Sequence, residues 1–356
     1  QVMKHGIPVF DGDGHVLENI QEIDGYYEGA FAGNRRMEGM TIFPSLDGWS
    51  RSSIVKEGDA DRKYWHTTAD LWGDMLEMIG AEGSALFPTS ALAYGLMQSY
   101  DFQTATCIAY NNWLEGEYTS RDERLYGVGL TPINDIDAGR KEIIRCAKQR
   151  ENFVAMMLPG VVTNGKTFGD EFYWPLYEEA QRQEIPMTFH GGPSRGFGFD
   201  HLRPFCKVHT LEHPVPLMIQ VTDMMFSGVF ETFPDLKFAF LEGGCSWVPF
   251  MMDRMDYEFN SVLGAGVRKT MKRKPSEIFR DTDSIWVSCE MGENSLKHVL
   301  DFYGTDRIIY ASDYPHEPTE DDLTSDIPDF LANDDYSAEV KGKILCHNAK
   351  NFYNLD

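Results

Sequence analysis

Short apolar runs recur along the chain, each followed by a polar turn and then by a longer stretch with helical spacing. The runs are Pro8–Phe10, Ser84–Phe87, Leu125–Leu130, Phe153–Leu158, Pro186–Phe189, Leu236–Leu241, Ile285–Ser288 and Arg307–Ala311. They are rich in Val, Ile, Leu and Phe and lack the strict alternation of a strand with one wet face, so they read as strands buried on both sides. Intervening stretches such as Asp170–Gln183 and Ser295–Tyr303 are amphipathic at helical period. Strands alternating with helices imply right-handed βαβ units and a parallel sheet. A count of eight strands predicts an α/β fold, a single (β/α)8 TIM barrel with residues 1–356 as one domain. Barrels of this kind run from about 200 to over 400 residues.

Two long excursions interrupt the rhythm. Val16–Glu82 lies between the first and second strands, carries Phe43–Trp49 and Arg51, and is expected to fold over the barrel mouth. Gly191–Glu231 follows the fifth strand. The acidic stretch Asp313–Glu339, with its Pro and Asp clusters, predicts a surface loop closed by a final helix through Ala349.

Charge narrows the function. Among 356 residues, 32 Lys and Arg face 56 Asp and Glu, a net charge of −24. Nucleic acid and anionic membrane surfaces demand a basic footprint, so neither is an expected partner. A small anionic substrate would need a local cation to offset the field. Six cysteines (107, 146, 206, 245, 289, 346) are scattered without a C-x-x-C pair, which argues against a disulfide framework or zinc knuckle. No apolar stretch approaches the ~20 residues of a membrane span. The first residues lack the apolar core of a signal peptide. Together these features predict a cytoplasmic protein.

The candidate chemistry sits where the apolar runs stop. The first ends in Asp11-Gly-Asp13-Gly-His15, the fifth in His190, the sixth in Glu242, the seventh in Glu290 and the eighth in Asp313. Barrel enzymes carry their catalytic groups at the C-terminal ends of strands, so these residues should converge on one mouth. Asp13 and His15 are two apart and share a strand face. Asp13, His15, His190 and Asp313 therefore form a candidate site for one divalent ion, with Zn²⁺ the first expectation and Mn²⁺ the alternative. Taken singly, each has a plainer explanation: a polar turn, a core histidine, a helix cap. Their joint placement favours the ion. Gly160–Thr167 also spells a G-x-x-x-x-G-K-T phosphate loop containing Lys166, but Gly169 and Pro175 should break the helix that such a loop requires. A barrel that binds a ligand without catalysis is a further alternative.

The segments DGDGH (Asp11–His15), FYWPLYEEA (Phe172–Ala180), MTFHGG (Met187–Gly192), Ser227–Asp256, YASDYPH (Tyr310–His316) and HNAKNFYNL (His347–Leu355) run in order over nearly the whole chain. They resemble the amidohydrolase-related family that includes the decarboxylases of aminocarboxymuconate semialdehyde, resorcylate and carboxyvanillate. The resemblance implies a metal-dependent enzyme, an ion held by the strand-one pair, the strand-five histidine and the strand-eight aspartate, and a homo-oligomer (dimer or tetramer). Those decarboxylases carry a histidine at the end of strand six, where this chain has Glu242. Glu242 could act as acid or base, or as an extra ligand. His213, four residues from His209, could supply the missing imidazole, and His316 is a further one. Asp313 is a second candidate acid. Arg195, on a Gly-rich loop, could grip a carboxylate. Phe197, Phe199 and Trp247 could stack a flat ring, with Glu290 nearby on the substrate side. The expected reaction is non-oxidative decarboxylation of a small aromatic or unsaturated carboxylate, with metal-dependent hydrolysis of a C–C or C–N bond as the alternative.

Overall fold

Eight strands pair side by side in chain order, all parallel. They are β1 (Asp11–His15), β2 (Ser84–Phe87), β3 (Leu125–Leu130), β4 (Phe153–Leu158), β5 (Met187–His190), β6 (Phe238–Leu241), β7 (Ile285–Cys289) and β8 (Ile308–Tyr310). The computed structural model describes residues 4–33, 40–49, 67–316 and 318–356. Beyond β8 the chain returns to β1, where Asp313 N–H donates to Asp13 O (3.1 Å) and His15 N–H to Tyr314 O (2.7 Å). Those bonds draw the sheet round into a (β/α)8 barrel. Nearly every strand residue is buried, which accounts for the unalternated apolar runs.

The first strand departs from its expected place. It comprises the polar motif Asp11–His15, not the apolar run Pro8–Phe10 before it. Successive residues of a strand face opposite sides. Gly14 lies on the side opposite His15, where a Cβ would come within 2.2 Å of the Trp72 ring. The missing side chain lets the helix Ala69–Ile79 close on β1, and the Trp72 indole N–H donates to His15 O (3.1 Å). Asp11 is a structural group. Its buried carboxylate accepts from the Ser84 hydroxyl (2.7 Å) and from the backbone N–H and hydroxyl of Ser312 (2.8 and 2.9 Å), tying β1 to β2 and to the turn after β8.

Two further expectations are corrected. The helix after β4 opens only at Trp174, with Pro175 in its first turn, where a proline costs no hydrogen bond. Pro175 thus starts that helix and does not break one. No helix begins at Thr167 to aim its N-terminus at a phosphate, so the phosphate-loop reading of Gly160–Thr167 fails. The acidic stretch is not a loop either. Glu320–Ala332 is a helix, opened by a capping box between Thr319 and Asp322 and favoured by Glu320, Asp321 and Asp322 in its first turn. Its apolar stripe of Leu323, Ile327 and Phe330 is buried.

Asp326, half-buried on that helix, has its carboxyl pushed up to about 6 by burial and by the neighbouring Asp322 and Asp329. With the folded value above the ordinary 3.8, the fold is favoured below about pH 4 and loses that advantage as pH rises through about 6. Asp326→Asn should therefore raise stability at about pH 7.5 by about 1 kcal/mol, allowing for screening of a partly exposed group, and should have little effect near pH 3.5. Urea titrations at the two pH values check this.

The described part of the first excursion lies against the second. Ser194 and Arg195 N–H both donate to Leu46 O (3.0 Å each), and Trp49 meets Phe205 edge-on (5.4 Å) with the Arg203 guanidinium 4.1 Å from its ring. Arg51 lies outside the described residues. Among the described residues, no helix is long and apolar enough to cross a membrane.

Candidate metal centre

β1, β5 and the turns after β6 and β8 bring Asp13, His15, His190, Glu242 and Asp313 to one end of the barrel. His15 is at the middle. Its Nε2 lies 3.7 Å from Asp13 Oδ1, 3.5 Å from Asp313 Oδ1 and 4.0 Å from Glu242 Oε2. His190 Nε2 lies 3.2 Å from Asp13 Oδ1, and its Nδ1 lies 3.0 Å from Glu242 Oε2. Within this site two overlapping groups have ligating atoms within 4.8 Å of one another: Asp13, His15 and His190, and His15, Glu242, Asp313 and His316.

The tautomers are set by the backbone. A carbonyl oxygen can only accept, so His15 Nδ1 donates to Pro88 O (2.8 Å) and His190 Nδ1 to Gly191 O (3.0 Å). That leaves the His15 Nε2 lone pair aimed into the cluster, the usual arrangement of a metal-binding imidazole, while His190 Nε2 faces the Asp13 carboxylate at 3.2 Å. Asp13 Oδ2, His15 Nε2 and Glu242 Oε2 are buried with no hydrogen-bond partner among the described residues. Leaving such atoms unsatisfied costs about 1–3 kcal/mol each, more for charged groups. Imidazole nitrogens and carboxylate oxygens that converge with lone pairs to spare fit a divalent cation.

The electrostatics point the same way. Burial pushes the Asp13 carboxyl up, against the pull of His190. Burial, reinforced by His316 and His190, holds His15 well below the ordinary histidine range. Burial disfavours charge on His190 too, but Asp13 and Glu242 outweigh it and hold its proton. Burial would raise the Glu242 carboxyl, yet His213 and His190 keep it ionised. An ion entering here would compete with protons for the same lone pairs.

His213 meets Glu242. It stands between the helices Cys206–Glu212 and Pro214–Phe226, and its Nε2 is 3.3 Å from Glu242 Oε1. Gly191 makes room for it, since a Cβ there would come within 2.8 Å of His213 Cα and 2.7 Å of Glu242 O. Burial disfavours the His213 cation, but Glu242 outweighs it and the pKa rises to about 9. His316 is also drawn in. Its Nδ1 lies 2.7 Å from Asp313 Oδ1 and its Nε2 2.9 Å from Thr89 Oγ1, with its ring 4.0 Å from that of His15. Asp313 keeps 25 % of its side chain exposed, against 13 % for Glu242 and 1 % for Asp13, so it is the carboxylate of the cluster most open to solvent. Glu242 and Asp313 both have left-handed backbones, with φ of 56° and 53°.

The residues expected on the substrate side are dispersed. Arg195 and Glu290 are exposed. Phe197 packs on a small apolar cluster of Ala93, Leu96 and Val161, 6.1 Å from the Phe199 ring. Trp247 is buried, its indole N–H on Gly244 O (2.9 Å). Sequence reasoning missed three supporting groups. Glu18 accepts from the N–H groups of Thr89, Ser90 and Ala91 and so shapes the turn beside His316. Thr89 anchors His316. Glu293 accepts from Cys245, Ser246 and Glu290 N–H and joins the turns after β6 and β7. These contacts are tertiary, and no local pattern marks them.

The chain is similar to known proteins in sequence and in fold. The 2-amino-3-carboxymuconate-6-semialdehyde decarboxylase of Dictyostelium discoideum is 26% identical over 256 residues, covering 69% of this chain and 66% of that enzyme, just under two thirds of its length. Among solved structures, 5-carboxyvanillate decarboxylase from Sphingomonas paucimobilis superposes with a TM-score of 0.76 at 18% identity, over 98% of this chain and 100% of that one. A dihydroxybenzoic acid decarboxylase from Polaromonas sp., solved with manganese and the inhibitor 2-nitroresorcinol, gives 0.74 at 19% identity, over 98% and 97%. At such identities the superpositions establish the barrel alone. The amidohydrolase family profile matches residues 83–355, so the chain belongs to the amidohydrolase family.

Proposed function

We propose that this chain is a metal-dependent, non-oxidative decarboxylase of a small aromatic or unsaturated carboxylate. The observation that carries the reading is the convergence of Asp13, His15 and His190, with Asp313 3.5 Å from His15, around Asp13 Oδ2 and His15 Nε2, which are buried with no hydrogen-bond partner among the described residues. The names of relatives that are decarboxylases of this substrate class, among them those of aminocarboxymuconate semialdehyde, gamma-resorcylate and 5-carboxyvanillate, support the reaction. Those four residues would hold the ion. The carboxylate-rich donor set and the manganese in the Polaromonas structure support Mn²⁺ ahead of the Zn²⁺ first expected. A divalent ion held there supplies positive charge to stabilise negative charge on the reacting substrate.

The remaining work falls to the protein. The bond from the substrate carbon to its carboxylate breaks, CO₂ leaves, and the electron pair stays on the carbon until a proton arrives. Asp313, the most open carboxylate of the cluster, delivers that proton, and His316 at 2.7 Å replenishes it. Thr89 holds the far nitrogen of His316 and keeps its ring in place. Glu242 sits deeper among His190, His213 and His316, away from the open face.

A panel of hydroxybenzoates and unsaturated carboxylates, assayed for released CO₂ after loading with Mn²⁺, tests the proposal. Release of CO₂ that disappears with a chelator and returns with the ion is the expected result. Cleavage of amides or ring-opened diketones without CO₂ would overturn it in favour of a hydrolase, the reading that a carboxylate in place of the strand-six imidazole favours.

A further inference from the structure

We infer that Glu18 is a positioning residue of the metal centre: by holding the peptide plane between Pro88 and Thr89, it fixes and polarises His15 from outside the cluster. The inference rests on the reading of the cluster as an ion site. Val16 N–H donates to Phe87 O (2.8 Å), so the chain just past His15 runs beside the turn that follows β2. Leu17 N–H donates to Thr67 Oγ1 (2.9 Å), and Asn19 caps the helix Ile20–Asp24. Pinned on both sides, Glu18 lays its carboxylate on that turn. Oε1 accepts from Thr89 and Ala91 N–H and Oε2 from Ser90 N–H, each at 2.9 Å.

The Thr89 contact reaches His15 through the backbone. A peptide unit is rigid and planar, and in its trans form the N–H and the C=O point in opposite directions. The Pro88–Thr89 bond is trans. Glu18 takes the N–H of this unit, while Pro88 O at its other end takes the Nδ1 proton of His15 (2.8 Å). Negative charge at the N–H end polarises the carbonyl. A more negative Pro88 O draws the Nδ1 proton and makes Nε2 a stronger donor to an ion. The arrangement is that of a carboxylate behind a metal-binding histidine, with one peptide unit interposed.

The same turn serves His316. The Thr89 hydroxyl donates to Val16 O (2.8 Å), so its oxygen accepts from His316 Nε2 (2.9 Å). The His15 and His316 rings lie 4.0 Å apart. One carboxylate thus steadies two imidazoles, one on β1 and one from the turn after β8.

The test is the Mn²⁺ affinity of the full chain, measured by competition with a chelator, without substrate and per folded molecule, for wild type, Glu18→Gln and Glu18→Ala. Groups that support a metal-binding histidine contribute about 10–100-fold in affinity, and Glu18→Ala should lose about that much. Glu18→Gln keeps one acceptor oxygen and the volume but not the charge, so it should lose less, and it carries the test if Glu18→Ala does not fold. In metal-free protein the Nδ1 proton resonance of His15 should move upfield in the variants as its hydrogen bond weakens. An affinity within about twofold of wild type in every variant that folds, or an unmoved proton, overturns the inference even if the melting temperature falls. Wild type that binds Mn²⁺ and releases CO₂ beside such variants loses only the role of Glu18. Wild type that binds Mn²⁺ without releasing CO₂ loses only the proposed reaction, and wild type that binds no ion loses both.

Discussion

Asp13→Asn protein holds no ion in the cluster and turns over substrate at least about 10³-fold more slowly than wild type. Asp13 is almost fully buried, 3.2 Å from His190 and 3.7 Å from His15, and asparagine keeps its shape while removing its charge. An ion that stabilises reacting charge is worth several kcal/mol, and about 1.36 kcal/mol corresponds to tenfold in rate. The change should not unfold the protein, because burial already pushes the Asp13 carboxyl up and its charge is a burden on the metal-free fold. Added Mn²⁺ separates the effects. At about 100 times the dissociation constant an ion stabilises the folded state by about 2.7 kcal/mol, so wild type should melt higher with metal and Asp13→Asn should show a smaller gain. Unaltered turnover and ion content in the variant would remove Asp13 from the proposed ligand set.

Asp313→Asn separates delivery of the proton from retention of the ion. The amide oxygen still offers a lone pair, so the ion should remain at saturating Mn²⁺. The amide carries no acidic proton, so kcat should fall by about 10²–10⁴, the range usual for lost acid–base catalysis, while KM changes little. Asparagine also accepts the left-handed backbone at this position, where φ is 53°, so the comparison is not confounded by the fold. A kcat within about threefold of wild type would refute the proposed proton donor. A loss that follows ion content instead would make Asp313 a ligand only.

The legibility of this chain follows burial. Leu125–Leu130 and Phe153–Leu158 have the predicted bounds because almost every residue in them is buried, and apolar runs of that kind stand out. β1 was displaced from its predicted run because Asp11, Asp13 and His15 are polar and the glycines between them carry no hydrophobic signal. The helix Glu320–Ala332 was hidden by its acids, although Leu323, Ile327 and Phe330 already had helical spacing. Asp13, His15, His190 and Asp313 meet as strand-end reasoning anticipates, since a closed barrel turns a one-dimensional rule into a shared mouth. Their surroundings were out of reach of that rule. Thr89 meets His316 across 227 residues, and the two faces of Glu242 become visible only once His213 is folded over it.

The left-handed backbones at Glu242 and Asp313 bear on any attempt to make this barrel hardier. A side chain beyond Cα in that region costs of order 1 kcal/mol that glycine does not incur. Screens that select for heat resistance alone should therefore enrich glycine at 242 and yield sturdier proteins that have discarded the carboxylate. Thermostabilisation has to hold these two positions fixed and take its gains from peripheral sites, such as the crowded aspartates of the helix Glu320–Ala332, where a lost charge touches nothing that reacts.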